Sequence, residues 1–526
     1  MAIKIILLLV FFGVMIGIGI SSRKHATDVN GFVLGGRSVG PWLTAFAFGT
    51  SYFSAVIFIG YAGQFGWNFG LASTWIGLGN AFIGSLLAWI VLGRRTRVMT
   101  QHIDSKTMPD FFGKRFNSPA LKNAASVIVF IFLIPYTASL YNGLSSLFNM
   151  AFDIPYYICI IVMAVLTCIY VLFGGYMATA INDFVQGIIM LIGITAVIAA
   201  VLYSNGGLTE AVKALSEIKT ETSAINGEFT SIFGPDPLSL LFVVILTSLG
   251  TWGLPQMVGK FYAIKSEDAI KKGTVISTIF AIIVAGGCYF LGGFGRLYGH
   301  IDGIVSESGV VSFDAIIPSM LDTLSSYSWG NLIIAIVIVL VLAASMSTLS
   351  SLVLTSSSTL TLDVIDNKGT MSEKKKMTVM RIFIAFFVAV SAIIAIVKDA
   401  FGFTFIAQMM GVSWGALAGS FLAPFLFGLY WKKTTKASVW VCYVFGITVT
   451  IIQLLCSFGV ITFSNEILAY MFASSIRSGV LAMVGGLIII PIVSLFTPSM
   501  KNNEIEDKFA GYNKKVTVTA KEKLEK

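Results

Sequence analysis

The stretch 343–363 reads A-A-S-M-S-T-L-S-S-L-V-L-T-S-S-S-T-L-T-L-D and closes a long apolar run. Such a run predicts a membrane-spanning helix. One face of that helix collects residues spaced i, i+3, i+4 and i+7, namely Ala344, Ser347, Thr348 and Ser351. Uncharged hydroxyls on one face can ligate a small hard cation through oxygen. They can equally pack helices closely or bond back to the preceding turn, so the stripe alone leaves both interpretations open.

The composition of the chain predicts an all-α polytopic membrane protein. The 526 residues are 56% hydrophobic and 12% charged, and the mean hydropathy is +0.87. Soluble domains carry about 25% charged residues, roughly twice this fraction. The five cysteines lie in apolar runs without CxxC spacing, which argues against a disulfide framework and against a zinc site. The three histidines lie in predicted loops or helix ends, which argues against a haem- or copper-based redox subunit.

Apolar stretches of about 20 residues predict about thirteen membrane-spanning helices. The first is interpreted as an uncleaved helix, because Arg23 and Lys24 follow it at once without a convincing cleavage site. The predicted ranges are 3–20, 41–63, 70–93, 122–150, 156–173, 181–204, 236–258, 273–293, 331–360, 379–397, 403–430, 437–457 and 479–497.

The basic residues predict the orientation of these helices. If the first residue lies outside, the segments assigned to the inner side hold 28 of the 35 Lys and Arg residues, and these segments are 21–40, 94–118, 259–272, 363–381, 431–436 and 498–526. The outer segments hold Lys213, Lys219, Arg296, Lys398 and Arg477. This asymmetry follows the positive-inside rule and predicts a multi-pass plasma-membrane protein with its N-terminus outside. The net charge of +9 therefore reflects topology rather than nucleic-acid binding. Residues 498–526 are expected to form a basic cytoplasmic tail, solvated and partly disordered after Lys501.

Two of the predicted helices are interrupted in mid-span. The second contains G-T-S-Y-F-S-A at 49–55, and the seventh contains G-T-W-G-L-P at 250–255. Glycine permits and proline forces a break in the backbone ladder, and inside a membrane the freed carbonyls survive only in protein or beside a cavity. The broken helices lie five apart, as two five-helix units of opposite orientation require. Residues 1–497 are thus predicted to form one transporter domain: a first repeat at 41–204, an inverted second repeat at 236–430, an extra helix at 3–20 and two C-terminal helices within 437–497.

The break in the second helix and the hydroxyl stripe together predict a cation site. Its ligands would be the backbone carbonyls of Thr50, Phe53 and Ala344 and the hydroxyls of Ser347 and Thr348. Five oxygens without a carboxylate suit a monovalent cation better than a divalent one, and sodium is the natural choice.

Asp183 is the second candidate cation ligand. It begins the sixth predicted helix, where an acidic residue can simply complement the helix dipole. Alternatively, Asp183 ligates a second cation together with Ser350 and Ser351. The helix interiors otherwise contain almost no ionisable residue, which favours sodium over protons as the coupling ion. A proton-coupled carrier on the same fold stays open as the alternative.

Five motifs resemble the sodium–solute symporters, a family that includes proline, pantothenate, sugar and sialic acid carriers. The motifs span 32–41, 49–55, 108–116 (M-P-D-F-F-G-K-R-F), 174–187 (G-G-Y-M-A-T-A-I-N-D-F-V-Q-G) and 343–351. The resemblance covers about residues 30–430. It implies an inverted-repeat core of the leucine-transporter type that works by alternating access. It also implies that the first oxygen set is the sodium site of the family, and that the Asp183 set is a second sodium site found in some members.

The resemblance leaves the solute open. Proline carriers have an acidic residue where this chain has Tyr52, although Tyr136 and Pro255 match that branch. Sialic acid carriers use a basic residue on the fourth helix, whereas residues 123–150 contain no Arg or Lys. The segment 174–193 looks most like the pantothenate branch. An aromatic, hydroxyl and amide lining suits a small polar solute, and the candidate pocket residues are Tyr52, Ser54, Tyr136, Asn142, Trp252, Pro255 and Gln408.

Other classes of function fit the sequence less well. A solute sensor would usually carry a long signalling domain, but only a short polar tail follows Lys501. An enzyme would need a buried nucleophile–base pair, a metal set or paired carboxylates, and none can be assembled from the sequence. The expected partners are therefore sodium, a small solute and the lipid membrane, with no obligate protein partner inferred.

Overall fold

The computed structural model of the chain describes residues 2–152, 155–219, 226–397 and 406–513. Secondary structure in these ranges is helical apart from two isolated β-bridges, Val39–Ile264 and Val305–Val311. Lys398, the start of the predicted helix 403–430 and the tail beyond Asn513 lie outside the described residues.

The long helices are numbered here in chain order. They are α1 (Ala2–Ser22), α2 (Pro41–Tyr52), α3 (56–69), α4 (74–102), α5 (Pro119–Phe152), α6 (156–174), α7 (176–204), α8 (Pro237–Leu249), α9 (Pro255–Ala263), α10 (Glu267–Gly292), α11 (Gly330–Thr359), α12 (Glu373–Ile396), α13 (Ile406–Tyr430), α14 (Lys436–Ser457) and α15 (Ser475–Phe496). Shorter helices are Val29–Leu34, Met108–Arg115, Leu208–Ser216, Phe313–Asp322, Glu466–Phe472 and Asn502–Ala510. Within the described ranges, ten helices are long and apolar enough to cross a membrane, or eleven if α8 and α9 form one bent span.

The number of long apolar helices differs from the thirteen predicted, because breaks divide some predicted helices and tight glycine turns lie within two long helical runs. The 47-residue run Val56–His102 turns at Gly70, where φ is +60°. The 49-residue run Tyr156–Ser204 turns at Gly175, where φ is +54° and the Cα faces the backbone of Phe32. Glycine adopts this left-handed conformation without steric cost. The sixth predicted helix therefore starts at 176 rather than 181, so Asp183 lies two turns inside α7 instead of at its beginning.

Both predicted helix interruptions are confirmed. Between α2 and α3, Phe53 is extended with φ −91° and ψ +120°. Between α8 and α9, Leu254 is extended with φ −88° and ψ +119°, and the two helices are bent by 47°. The same backbone geometry therefore interrupts both helices, and proline at the first position of α9 prevents the ladder from continuing through the second break.

The basic segments assigned to the inner side meet on one face of the molecule. The Arg37 guanidinium donates to the Thr100 and Ser105 carbonyls, and Arg94 pairs with Glu267 at 3.1 Å. Further contacts join Thr107 to Asp363, Val29 to Glu373 and Val39 to Lys265. The Asn205 amide donates to the Tyr298 hydroxyl at 2.7 Å and so joins two segments assigned to the outer side, 205–235 and 294–330. Segments assigned to the inner side thus contact one another, and two segments assigned to the outer side contact each other.

The beginning of the C-terminal tail corrects the sequence expectation. Residues 502–513 form a short helix and turn docked on the basic face rather than a solvated, disordered end. Ile505 and Phe509 are buried, and Lys432 forms an ion pair with Glu506 at 2.6 Å. Asn117 donates to Glu504 at 2.8 Å. The apolar residues share one helical face because they are spaced i, i+4.

Close helix contacts depend on glycine at several crossings. At Gly292 of α10, a methyl group would overlap the carbonyl of Ala62 on α3, and at Gly66 it would overlap the carbonyl of Gly292. Small residues let two membrane helices approach until their backbones touch. By contrast, a methyl group at Gly286 of the same α10 helix would meet no atom within 4 Å.

Gly292→Ala is therefore expected to destabilise the protein by about 1–3 kcal/mol, the usual range for overpacking, because two backbones must separate. The measurement is the midpoint of thermal unfolding in detergent, followed by tryptophan fluorescence. Gly286→Ala is the matched control and should leave the midpoint unchanged or slightly raised. Equal midpoints for the two variants would contradict the packing of α3 against α10.

Candidate functional site

The predicted first cation site is assembled from α2 and α11. The Ser347 hydroxyl lies 3.1 Å from the Thr50 carbonyl oxygen and 3.0 Å from that of Ala344. The Thr348 hydroxyl lies 3.2 Å from the Thr50 carbonyl, 3.1 Å from that of Ala344 and 3.4 Å from that of Phe53. All five residues are buried. The structure thus brings together the five oxygens predicted from the sequence.

The spacing of these oxygens fits a small hard cation. Oxygen ligands lie about 2.4 Å from a cation of calcium's size, so ligands at right angles around it lie about 3.4 Å apart. The oxygen–oxygen distances of 3.0–3.4 Å here approach that value. The carbonyls of Thr50 and Phe53 are available because the α2 ladder ends at Phe53. If the two hydroxyl hydrogens rotated away from the carbonyls, all five oxygens would be free to face a cation. These five oxygens are called the oxygen cage below.

The second predicted set contains a residue that the sequence analysis did not assign to it. The Lys260 ammonium lies 3.6 Å from the Asp183 carboxylate and donates to the Ser351 hydroxyl at 2.9 Å. The Ser351 hydroxyl in turn lies 2.8 Å from that of Ser51. The Ser350 hydroxyl donates instead to the Ser347 carbonyl of its own helix, at 2.9 Å. Asp183 and Ser351 are thus joined through Lys260, whereas Ser350 bonds within α11.

Two of the predicted pocket residues meet around an aromatic cluster. The rings of Tyr52 and Tyr136 lie 5.9 Å and 6.0 Å from that of Trp414, which belongs to α13. The Tyr52 hydroxyl donates to the Thr247 carbonyl at 2.8 Å and so links α2 to α8, the two interrupted helices. The Tyr136 hydroxyl lies near Ser54. These groups are buried, uncharged and offer hydroxyl and indole hydrogen-bonding groups.

The other predicted pocket residues lie in three further places. The Asn142 amide is directed at the Met409 sulfur, 3.6 Å away, and Gln408 precedes this methionine on α13 as a half-buried residue. The Trp252 indole donates to the Ile83 carbonyl at 3.0 Å. Pro255 borders a cavity of about 50 Å³ that Lys260 also lines. Pro255 therefore lies beside Lys260 and Ser351, at the second predicted set.

The sequence analysis missed two residues of the candidate site for different reasons. Lys260 was assigned to the inner segment 259–272, but it lies inside α9 because that helix continues to Ala263. A helix that begins at Pro255 and continues for more than one turn would have included Lys260, and this was the signal that could have identified it. Trp414 stands in an apolar run, G-V-S-W-G-A at 411–416, and only its contacts distinguish it from an ordinary packing residue.

The profile of the sodium:solute symporter family matches residues 32–446 of the chain. The osmoregulated proline transporter OpuE of Bacillus subtilis is 28% identical over 491 residues, which cover 92% of this chain and 95% of that protein. A sodium/proline symporter of Staphylococcus aureus is 31% identical over 458 residues, covering 85% of each chain.

Solved structures share the fold at low sequence identity. The substrate-bound, outward-open state of a Na⁺-coupled sialic acid symporter superposes with a TM-score of 0.73 at 16% identity, over 95% of this chain and 98% of that one. Mhp1, a nucleobase-cation-symport-1 family transporter in a closed conformation, gives a TM-score of 0.50 at 12% identity, over 91% and 98%. The fold is therefore that of these helical membrane transporters.

Family membership follows from the length of the profile match together with the relatives that align over most of both chains. Sodium is accordingly the coupling ion, and the protein transports a solute rather than catalysing a reaction. The chain belongs to the sodium:solute symporter family and is a sodium-driven solute symporter of the membrane.

Proposed function

We propose that the chain takes up a small zwitterionic amino acid, with proline as the first candidate, by alternating access. The observation that carries this proposal is the position of Tyr52 between two residues of the oxygen cage. Thr50 and Phe53 supply carbonyls to the cage, while the Tyr52 ring lies against Trp414 in the aromatic cluster. A sodium ion that fixes the end of α2 would therefore also fix the Tyr52 ring. Binding of the ion and of the solute would be coupled through one helical turn.

The solute assignment rests on the relatives and on the chemistry of the cluster. The relatives from Bacillus subtilis and Staphylococcus aureus are named as proline transporters. Tyrosine hydroxyls, an indole and hydroxyl groups can hold a compact solute that carries both charges, while the rings cover its apolar part. Tyr52 replaces the acidic residue that the family resemblance implies for proline carriers, so pantothenate is the second candidate to test.

We assign the sodium ion to the oxygen cage formed by Thr50, Phe53, Ala344, Ser347 and Thr348. The cage supplies three carbonyls and two hydroxyls and no carboxylate, which suits a monovalent ion. Ser54, Tyr136, Asn142, Trp252, Pro255 and Gln408 stay candidates for solute contact together with Tyr52. The position of Tyr136 beside Trp414 supports its candidacy most directly.

The proposed architecture has thirteen crossings, counted with α2 plus α3 as one crossing and α8 plus α9 as another. The shared backbone geometry of Phe53 and Leu254 supports two repeats, 41–204 and 236–430, with α1 before them and α14 and α15 after them. The meeting of all basic segments on one face supports a cytoplasmic C-terminus and an outer N-terminus in the plasma membrane.

Loss of either hydroxyl of the oxygen cage should weaken sodium binding. Ser347→Ala and Thr348→Ala are each expected to raise the half-saturating sodium concentration at least about tenfold, which corresponds to about 1.4 kcal/mol. The measurement is sodium-dependent solute uptake in proteoliposomes across a sodium series.

Ser357→Ala is the matched control for these variants. The Ser357 hydroxyl donates to the Val353 carbonyl of its own helix at 2.7 Å, one and a half turns beyond Ser351. Its sodium activation should stay at the wild-type level. Wild-type sodium activation in both cage variants would contradict the site assignment.

Removal of the Trp414 indole should weaken solute binding more than sodium binding. Trp414→Ala is expected to raise the solute KM about tenfold or more, since two tyrosine rings lose their packing partner. Sodium binding measured without solute should change much less. Trp440→Ala on α14, where Trp440 packs against Tyr443 at 6.1 Å, is the control. An unchanged KM in Trp414→Ala would remove this residue from the pocket.

Uptake of a labelled panel into proteoliposomes tests the function as a whole. The panel contains proline, pantothenate, sugars, sialic acid and short carboxylates, each under an inward sodium gradient and then under a proton gradient alone. Proline should accumulate only with sodium. Sodium-driven accumulation of another solute, without competition by proline, would contradict the solute assignment.

A further inference from the structure

The Lys260 ammonium is a charged group that is buried among the described helices. Its side chain is 4% exposed and that of Asp183 is 0% exposed, and their charged atoms lie 3.6 Å apart. Lys260 also donates to Ser351 at 2.9 Å, and its ammonium lies 5.3 Å from the centre of the Tyr176 ring. One cation on α9 is therefore held by groups of α7 and α11.

The charge of a lysine buried to this extent must be compensated. An ionised side chain inside the membrane is costly to insert, and an unpaired buried charge costs more than a paired one. Asp183 supplies the opposite charge, Ser351 accepts a hydrogen bond, and the Tyr176 ring offers its negative face. The groups around Lys260 thus match the needs of a single positive charge.

Two of these groups, Asp183 and Ser351, are among the three residues expected to bind a second sodium ion, whereas Ser350 bonds within α11. Asp183 and Ser351 belong to the set that the sequence analysis assigned to that ion, and both contact the lysine. We infer that the Lys260 ammonium permanently occupies the place of a second sodium ion, so that the protein binds and moves one sodium ion per solute. The positive charge at this place thus comes from a side chain of the protein and not from a sodium ion bound from solution.

The Lys260 ammonium also lies next to the oxygen cage. The inference rests on the proposed sodium site, because the one transported ion is the ion assigned to that cage. Ser351 stands one helical turn beyond Ser347, and its hydroxyl lies 2.8 Å from that of Ser51, the residue after Thr50. Lys260 therefore supports the broken end of α2 from one side while the cage supports it from the other. Asp183 offsets the repulsion that an uncompensated ammonium would exert on the transported ion.

The test is the number of sodium ions bound at equilibrium, measured with radioactive sodium on purified protein in detergent. The wild type should bind one ion per chain, and the sodium-to-solute flux ratio in proteoliposomes should also be one. Lys260→Met retains Asp183 without its partner and should bind two ions, a doubling. The double variant Asp183→Asn with Lys260→Met removes both charges and should return to one ion.

Lys265→Met replaces an exposed lysine just beyond α9 and should bind one ion, as the wild type does. Two ions bound to the wild type, or one ion bound to a monodisperse Lys260→Met protein, would overturn the inference. If Lys260→Met does not fold, the number of sodium ions bound by the wild type and by the double variant tests the inference. Failure of the proposed sodium site is distinguishable, because Thr348→Ala would then bind its ion with wild-type affinity.

Discussion

The structure depends on the need to satisfy the backbone carbonyls that are freed where a helix breaks inside a membrane. A lipid-facing carbonyl without a partner costs several kcal/mol, so such a break must be covered by protein or by an ion. At the end of α2 the cover comes from α11, where Ser347 and Thr348 approach the carbonyls of Thr50 and Phe53. The hydroxyl stripe of α11 therefore supplies hydrogen bonds to the freed carbonyls of α2, and the same oxygens have a spacing that fits a small cation.

The second break extends this arrangement to α8 and α9. Leu254 repeats the backbone geometry of Phe53, and Tyr52 donates to the Thr247 carbonyl, so the two broken helices are held together beside the aromatic cluster. The turn of helix after Leu254 carries Lys260 towards Asp183 and Ser351. The oxygen cage, the aromatic rings and the Lys260 ammonium thus lie around two short stretches of non-helical backbone.

Sequence reasoning predicted the features that local chemistry determines. Glycine marked the first break, glycine and proline marked the second, and helical spacing placed Ser347 and Thr348 on one face. It missed features that depend on where helices end or on distant contacts. A five-residue error at the end of α9 moved Lys260 from the core to a loop. Trp414 needed the contacts of Tyr52 and Tyr136 to stand out. The docked C-terminal helix was missed because its charges masked the apolar face.

The docked C-terminal helix ties together parts of the chain that are far apart in sequence. Glu504 bonds to Asn117, just before α5, and Glu506 pairs with Lys432, just after α13. Any motion that separates these two elements must stretch or release the bridge between them. This helix thus links the segment before α5 to the segment after α13, and a fluorophore placed on it would report a change in their distance without touching the ion or the solute.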